Sequence, residues 1–481
     1  MSRSEVLVIG GGPAGATAAT LLAREGVDVA LFERDHFPRY HIGESIVPAC
    51  LPILDLLGLR ERVEAHGFQR KEGTYFRWGG RCWDYRFGSL SGDHVYAWQV
   101  ERDEFDELLL RNAAACQVRV REGRRVTGVE LSPDGRPVAV TWQEPGTGAS
   151  GRHDCDMLVD ASGRAGIMAN RHLSGRRFHD SFRNVAFWSY WKGATPPDDA
   201  PPGATLVSSL AGGWVWVIPL RDRVASVGVV LDRRRFREQR RRHGLDPLYH
   251  RLLGEAELVP EVLRGAGRVD GIRVEQDFSY TTHRFAGPGY FLSGDAACFL
   301  DPLLSTGVHL AMFSGLLAAA CVASLHRGEI TGPAAERFYE ESYRRTYLRL
   351  LVLVAAVYQQ HRPPESYFRA AQRLTVRDCE GDRVADAFLT VVSGIEDLRD
   401  LHGQPLADRA VAHAARLYLD VHENMQGRLA APGLSAAQRE QIGATDRFWQ
   451  AVVGTHTVPE SSPVLGHYVT TSPRLSVVPA R

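Results

Sequence analysis

Residues 5–34 read EVLVIGGGPAGATAATLLAREGVDVALFER. Val6–Ile9 is an apolar run of the kind that forms a strand buried on both faces. Gly10, Gly12 and Gly15 then make GxGxxG and open a helical segment rich in alanine and leucine. A second apolar run, Val27–Phe32, ends at Glu33, eighteen residues after Gly15. Strand, glycine turn, helix, strand and acid in this order make a dinucleotide-binding βαβ unit. Gly10 makes the tight turn, Gly12 lets the backbone approach a pyrophosphate, and Gly15 lets the helix pack close to the strand. The helix N-terminus attracts the phosphate charge, and Glu33 holds the ribose hydroxyls. The motif alone does not separate a flavin from a nicotinamide dinucleotide.

The rest of the composition narrows the class. A chain of 481 residues exceeds what one core supports, so two or three subdomains are expected. Lys plus Arg and Asp plus Glu balance at 57 each, which argues against a nucleic-acid or acidic-membrane partner. The seven cysteines are odd in number, form no CxxC pair and show no zinc spacing. No metal site is therefore expected, and a reduced cytoplasm is the simplest setting. The start, MSRSEVLVIG, runs straight into a strand and leaves no room for a signal peptide. Gly307–Leu325 is apolar and long enough to span a bilayer. It contains His309, Ser314, Cys321 and Ser324, so the expectation is a buried helix and no membrane.

Two later stretches favour a flavin. Residues 156–163 read DMLVDASG, and residues 290–308 read YFLSGDAACFLDPLLSTGV. With GxGxxG and Glu33 before them, they resemble the FAD-binding fold of the p-hydroxybenzoate-hydroxylase type over roughly residues 1–330. The resemblance implies an α/β fold. A Rossmann-like FAD-binding domain (1–175 and 275–330) would interleave with a substrate-side β-sheet domain (176–274), followed by a helical C-terminal region (331–481). It places Asp295 at the flavin ribityl chain and aims the helix after Pro302 at the flavin ring. A second, nicotinamide-type GxGxxG that follows a strand and opens a helix is absent, so the chain shows no evident domain for its own NAD(P)H.

Three further stretches resemble the flavin-dependent halogenases. GGWVWVIP (212–219) matches their WxWxIP motif. FPRYHIGESIVP (37–48) resembles a segment near their flavin, and FQRKEGTYFRWG (68–79) resembles the segment that carries their active-site lysine, here Lys71. The resemblance implies FAD contacts at Gly10, Gly12, Pro13, Ala14, Gly15, Glu33, Arg34, Arg39, Gly43, Ser45, Arg102, Val126, Asp295, Pro302, Gly307 and Val308. It implies halide binding at the backbone of Thr306 and Gly307 in STGV. It also implies a separate reductase that supplies reduced FAD. Chloride and oxygen then give hypochlorous acid, which Lys71 holds by a hydrogen bond or as a chloramine. The substrate would be an electron-rich aromatic such as a phenol or pyrrole, free or bound to a carrier protein. An aromatic hydroxylase of the same fold, or a reductase, remains the competing reading, because fold does not settle function.

Side chains alternate along a strand, so Trp214, Trp216 and Ile218 share a face that Pro219 closes. That face is either sheet core or a partition between flavin and substrate. Taken by itself, Lys71 between Arg70 and Glu72 reads as a solvated lysine, and only the resemblance makes it catalytic. An amine suits the chemistry because burial can make it neutral and nucleophilic, whereas arginine stays charged. By the resemblance Arg102 contacts the flavin, against a surface ion pair, and His41 and Glu44 read as loop residues or as acid–base groups. Asp277 has no assigned role, and no further glutamate can be placed beside the lysine. RRRFREQRRRH (233–243) reads as a solvated helix or a dock for an acidic partner. Tyr339, Tyr343 and Tyr347 form a stripe at helical spacing, and the tail from 471 is expected to be loosely ordered.

Overall fold

The computed structural model describes residues 2–88, 96–173, 175–359 and 464–479. Two sheets organise it. In the first, the strands Ala286–Gly287, Tyr290–Leu292, Ser150–Asp160, Ser2–Ile9, Val29–Phe32 and Arg119–Arg121 lie side by side. Ser2–Ile9 pairs in parallel with both of its neighbours. Strands covered on both faces have to be apolar throughout, and Val6–Ile9 and Val29–Phe32 are buried without interruption. Helix Pro13–Arg24 packs on this sheet and on helix Gly307–His326. The approach is close: a Cβ on Gly315 would lie 2.5 Å from the Ala14 carbonyl oxygen. Gly307–His326 is long and apolar enough to cross a membrane, but here protein covers it.

The second sheet orders Cys298–Phe299, Arg273–Thr282, Arg176–Lys192, Val224–Asp232, Gly213–Pro219, Thr205–Leu210, Gly73–Trp78 and Arg81–Arg86. Its two faces go to different cores. Val215 and Val217 pack with Leu248, Tyr249 and Leu252 of helix Leu245–Glu255. Trp214, Trp216 and Ile218 join the core that contains the first sheet. Trp188 lies on the same face, with its ring 6.3 Å from that of Trp216, and Trp214 is 5.8 Å from Trp216. Gly228 is the cross-strand partner of both Trp188 and Trp216. The Trp216 indole lies flat over it, so that a Cβ there would sit 2.0 Å from Cζ2.

The described part of the C-terminal region corrects two expectations. Helix Gly332–Gln359 is present, and the Tyr339 and Tyr343 hydroxyls donate to the carbonyls of Leu292 and Gly294. The stripe is thus core that holds the turn before Asp295. The region is not wholly helical, and its tail is not loose: His467–Thr470 and Ser476–Pro479 form a hairpin. Leu475 and Val477 are buried, and Arg327 donates to the Leu475 carbonyl and the Ser476 hydroxyl. Residues 360–463 lie outside the described residues. The arginine run forms helix Arg233–His243, capped by Asp232. It flanks a groove floored by Val185, Phe236 and Val274. Val185 and Phe236 belong to the core on the sheet face opposite the tryptophans.

Replacing Gly228 by alanine forces Trp216 off its seat. Overpacking of this kind costs about 1–3 kcal/mol. Urea denaturation should show a loss in that range for Gly228→Ala, and unchanged stability would contradict the packing described.

Candidate active site

The glycine motif shows what each residue is for. A Cβ on Gly10 would lie 2.3 Å from the Ala161 oxygen, and one on Gly15 would lie 1.9 Å from the Gly10 oxygen. Both glycines are demanded by the fold itself. A Cβ on Gly12 meets nothing nearer than the Arg39 guanidinium at 3.4 Å. The chain's own packing leaves this backbone open, which suits a pyrophosphate beside the N-terminus of helix Pro13–Arg24. Glu33 is buried and accepts from the Gly11 amide at 2.6 Å. The Arg124 amide donates to the Glu33 carbonyl, so strand Arg125–Leu131, with Val126, starts beside the acid. Arg34 is exposed and pairs with Asp35. Asp295 stands in the turn Gly294–Ala296, and a Cβ on Gly294 would lie 3.2 Å from that of Ala14. These residues together fit FAD.

Arg102 is buried rather than a surface ion pair. It grips Asp106 through Nε and Nη2, at 2.8 and 3.0 Å, and donates from Nη1 to the Ile42 and Gly43 carbonyls. Arg39 reaches the same carboxylate at 2.9 Å. Burial opposes charge on Asp106, but the two guanidiniums outweigh it and hold its pKa below the ordinary value. Segment 37–48 is thereby fixed to helix Arg102–Ala115.

Lys71 is fully buried at the end of the short strand Gln69–Lys71, which pairs with Ala97–Gln99. Its Nζ donates to the Ser45 hydroxyl at 2.8 Å and to the Ile46 carbonyl at 3.2 Å, and it lies 5.5 Å from the Phe87 ring centre. Ser45 also bonds Thr205, which the Gln99 amide holds from the other side. Burial among these neutral groups pulls the Lys71 pKa down from 10.5 to about 7. The next side chain back, Glu44, is also buried. It accepts from the Tyr190 hydroxyl at 2.6 Å, and burial pushes its pKa up to about 7. His41 is exposed.

At STGV, Ser305 is left-handed (φ 57°) and Thr306 right-handed (φ −94°). Alternating handedness turns successive amides toward one point, and helix Gly307–His326 begins there with its free amides. Among the described residues the buried Thr306 Oγ1 has no hydrogen-bond partner. Asp301 bonds the Leu303 amide and the Asn184 side chain, fixing the turn around Pro302.

The tryptophan halogenase family model matches residues 5–95 and 88–392. The chain belongs to this family of flavin-dependent halogenases. A tryptophan 2-halogenase of Chondromyces crocatus is 43% identical over 99% of this chain and 94% of its own length. The flavin-dependent halogenase armH3 of Armillaria mellea is 37% identical over 82% of this chain and 81% of its own. Among solved structures, the myxobacterial chondrochloren halogenase CndH superposes with a TM-score of 0.72 at 34% identity, covering 82% of this chain and 90% of its own. The halogenase CmlS does so with 0.70 at 33% identity, covering 95% and 78%.

In this halogenase the structure gathers Lys71, Ser45, Arg102 and the tryptophan face around one segment, 37–48. The side chain of Asp277 lies outside the described residues. Pattern reading does not single out Asp106, Thr205, Tyr190 or Ser226, whose parts depend on pairings far apart in sequence. One overlooked signal was available. The chain has only two lysines, Lys71 and Lys192, among its 57 basic residues.

Gly12→Val should weaken FAD binding at least tenfold by fluorescence titration while leaving the FAD-free protein's stability nearly unchanged. Gly15→Ala should impair folding itself. Lys71 titrates near 10.5 when unfolded and near 7 when folded. Between these values the unfolded chain holds the extra proton, so stability falls as pH falls toward 7. Replacing the lysine by methionine removes that slope. The gain in stability of Lys71→Met should be larger at pH 7 than at pH 10 by about 3 kcal/mol.

Proposed function

We propose that this enzyme halogenates an electron-rich aromatic molecule, that Lys71 relays the halogen, and that Trp214 and Trp216 separate substrate from flavin. The observation that carries this reading is the buried Lys71 amine, held by neutral groups with its pKa near 7. Bound FAD, delivered reduced by a separate reductase, supplies with oxygen the oxidising equivalents that turn chloride into hypochlorous acid. Gly12, Glu33, Arg39, Gly43, Arg102 and Asp295 hold the cofactor. The amides of Thr306 and Gly307, with the unpartnered Thr306 hydroxyl, hold the halide. The tryptophans exclude water and keep the organic substrate off the flavin.

A neutral Lys71 takes the halogen from hypochlorous acid: an N–Cl bond forms, the O–Cl bond breaks, and water leaves with the amine proton. The aromatic carbon then takes chlorine from nitrogen and returns its proton to the amine. Indole is the first ring to test, because the Chondromyces relative bears the name tryptophan 2-halogenase. The arginine groove opens on the sheet face away from the tryptophans, so a free small molecule suits this site better than a carrier docked there.

The test supplies FAD, a reductase, oxygen and chloride or bromide to the enzyme, with L-tryptophan and small phenols as probes. Mass spectrometry should find halogenated product from the parent and at least a hundredfold less from Lys71→Ala and Lys71→Arg. Product formation should rise as pH passes upward through 7, because the neutral amine is the reactive form. A hydroxylated product independent of halide and indifferent to Lys71 would overturn the reading.

A further inference from the structure

Indole N–H groups only donate, and a hydroxyl that accepts one hydrogen bond passes on one of its own, so a chain that starts at an indole has to end on an acceptor. The Trp188 Nε1 donates to the Tyr40 hydroxyl at 2.7 Å. The Tyr40 and Tyr190 oxygens are 3.0 Å apart, and Tyr190 gives its only hydrogen to Glu44 Oε1. Tyr40 is therefore the donor to Tyr190, and the chain ends on Glu44. A second chain starts at Trp216, whose Nε1 donates to the Ser226 hydroxyl at 3.2 Å. Ser226 also lies near the Glu44 carboxyl, whose Oε2 is buried and has no hydrogen-bond partner among the described residues. One buried carboxyl thus ends the relay from Trp188 and lies near the hydroxyl that takes the hydrogen bond of Trp216. Its neighbour in sequence, Ser45, seats the Lys71 amine.

We propose that Glu44 is the positioning residue that seats Trp188 and Trp216 as one wall and ties that wall to the segment carrying the lysine's seat. The inference rests on reading the tryptophan face as the partition, and it adds Trp188 to that partition. A wall held from behind by a single acceptor keeps water away from the halide. Without the acceptor the Trp188 relay loses its end and Ser226 loses the carboxyl beside it, so the wall loosens, water enters, and oxidising equivalents leave as hydrogen peroxide instead of hypohalous acid.

The experiment uses the FAD-loaded enzyme with reductase, oxygen and chloride. It measures monochlorodimedone halogenation and peroxide release per flavin oxidised, so that no natural substrate is needed. Glu44→Ala should lower the halogenating share at least fivefold and raise the peroxide share to match, while flavin oxidation continues. Glu44→Gln keeps an oxygen that accepts from Tyr190 and should retain at least half of the parent's share. Tyr190→Phe with Ser226→Ala cuts both relays without touching Glu44. This pair should reproduce the Glu44→Ala loss, and adding Glu44→Ala to it should change nothing further. The pair decides the matter should Glu44→Ala fail to fold. Equal losses in the alanine and glutamine variants, or a parent-like share in the relay pair, would overturn the role of Glu44. Trp216→Leu separates the two layers of the argument: a parent-like share there sinks the partition reading itself. Loss in Trp216→Leu without loss in Glu44→Ala sinks only the present inference.

Discussion

The arrangement depends on one amine kept dry. An ammonium group buried without a carboxylate is costly, and the least expensive outcome is loss of its proton. The hydrogen-bond partners of Lys71 are a serine hydroxyl and a backbone carbonyl. A pKa of about 7 instead of 10.5 corresponds to on the order of 4–5 kcal/mol against the charged form. That destabilisation has to be offset by the rest of the fold.

Segment 37–48 supplies the seat of that amine. On one side the Arg39–Asp106–Arg102 cluster, with bonds to the Ile42 and Gly43 carbonyls, anchors it to helix Arg102–Ala115. On the other, successive side chains reach different strands of the second sheet: Glu44 meets Tyr190, and Ser45 meets Thr205. The two strands that lie between those contacts carry Trp214, Trp216 and Gly228. The segment therefore straddles the aromatic face, and the lysine's seat and the wall share one support.

Local pattern revealed much of this and missed the remainder for physical reasons. The βαβ unit was legible because turn, helix packing and phosphate approach each impose a glycine at a fixed place. The shared face of Trp214 and Trp216 followed from strand periodicity. Lys71 was legible only through family resemblance, since Arg70 and Glu72 beside it resemble any solvated stretch. Its hydrogen-bond partners lie 25 and 26 residues away in sequence, which no local window contains. Glu44 reads as a loop residue for the same reason: nothing beside it in sequence shows that Tyr190 is brought over it. The tail misled because its short run Leu475–Val478 finds cover against residues far back in the chain, where Arg327, Ser324 and Glu25 bond it.

With two lysines in the chain, the central claim can be measured directly. Lysine labelled with ¹⁵N at Nζ and ¹³C at Cε gives two sets of signals, assigned with Lys71→Arg. A pH titration by nuclear magnetic resonance then reads the protonation of Lys71 in the folded protein. The account predicts a midpoint near 7 for Lys71, with Lys192 titrating separately and remaining unaffected by the substitution. A Lys71 midpoint above 10 would show that the amine stays charged at neutral pH, and would contradict the relay through a neutral lysine.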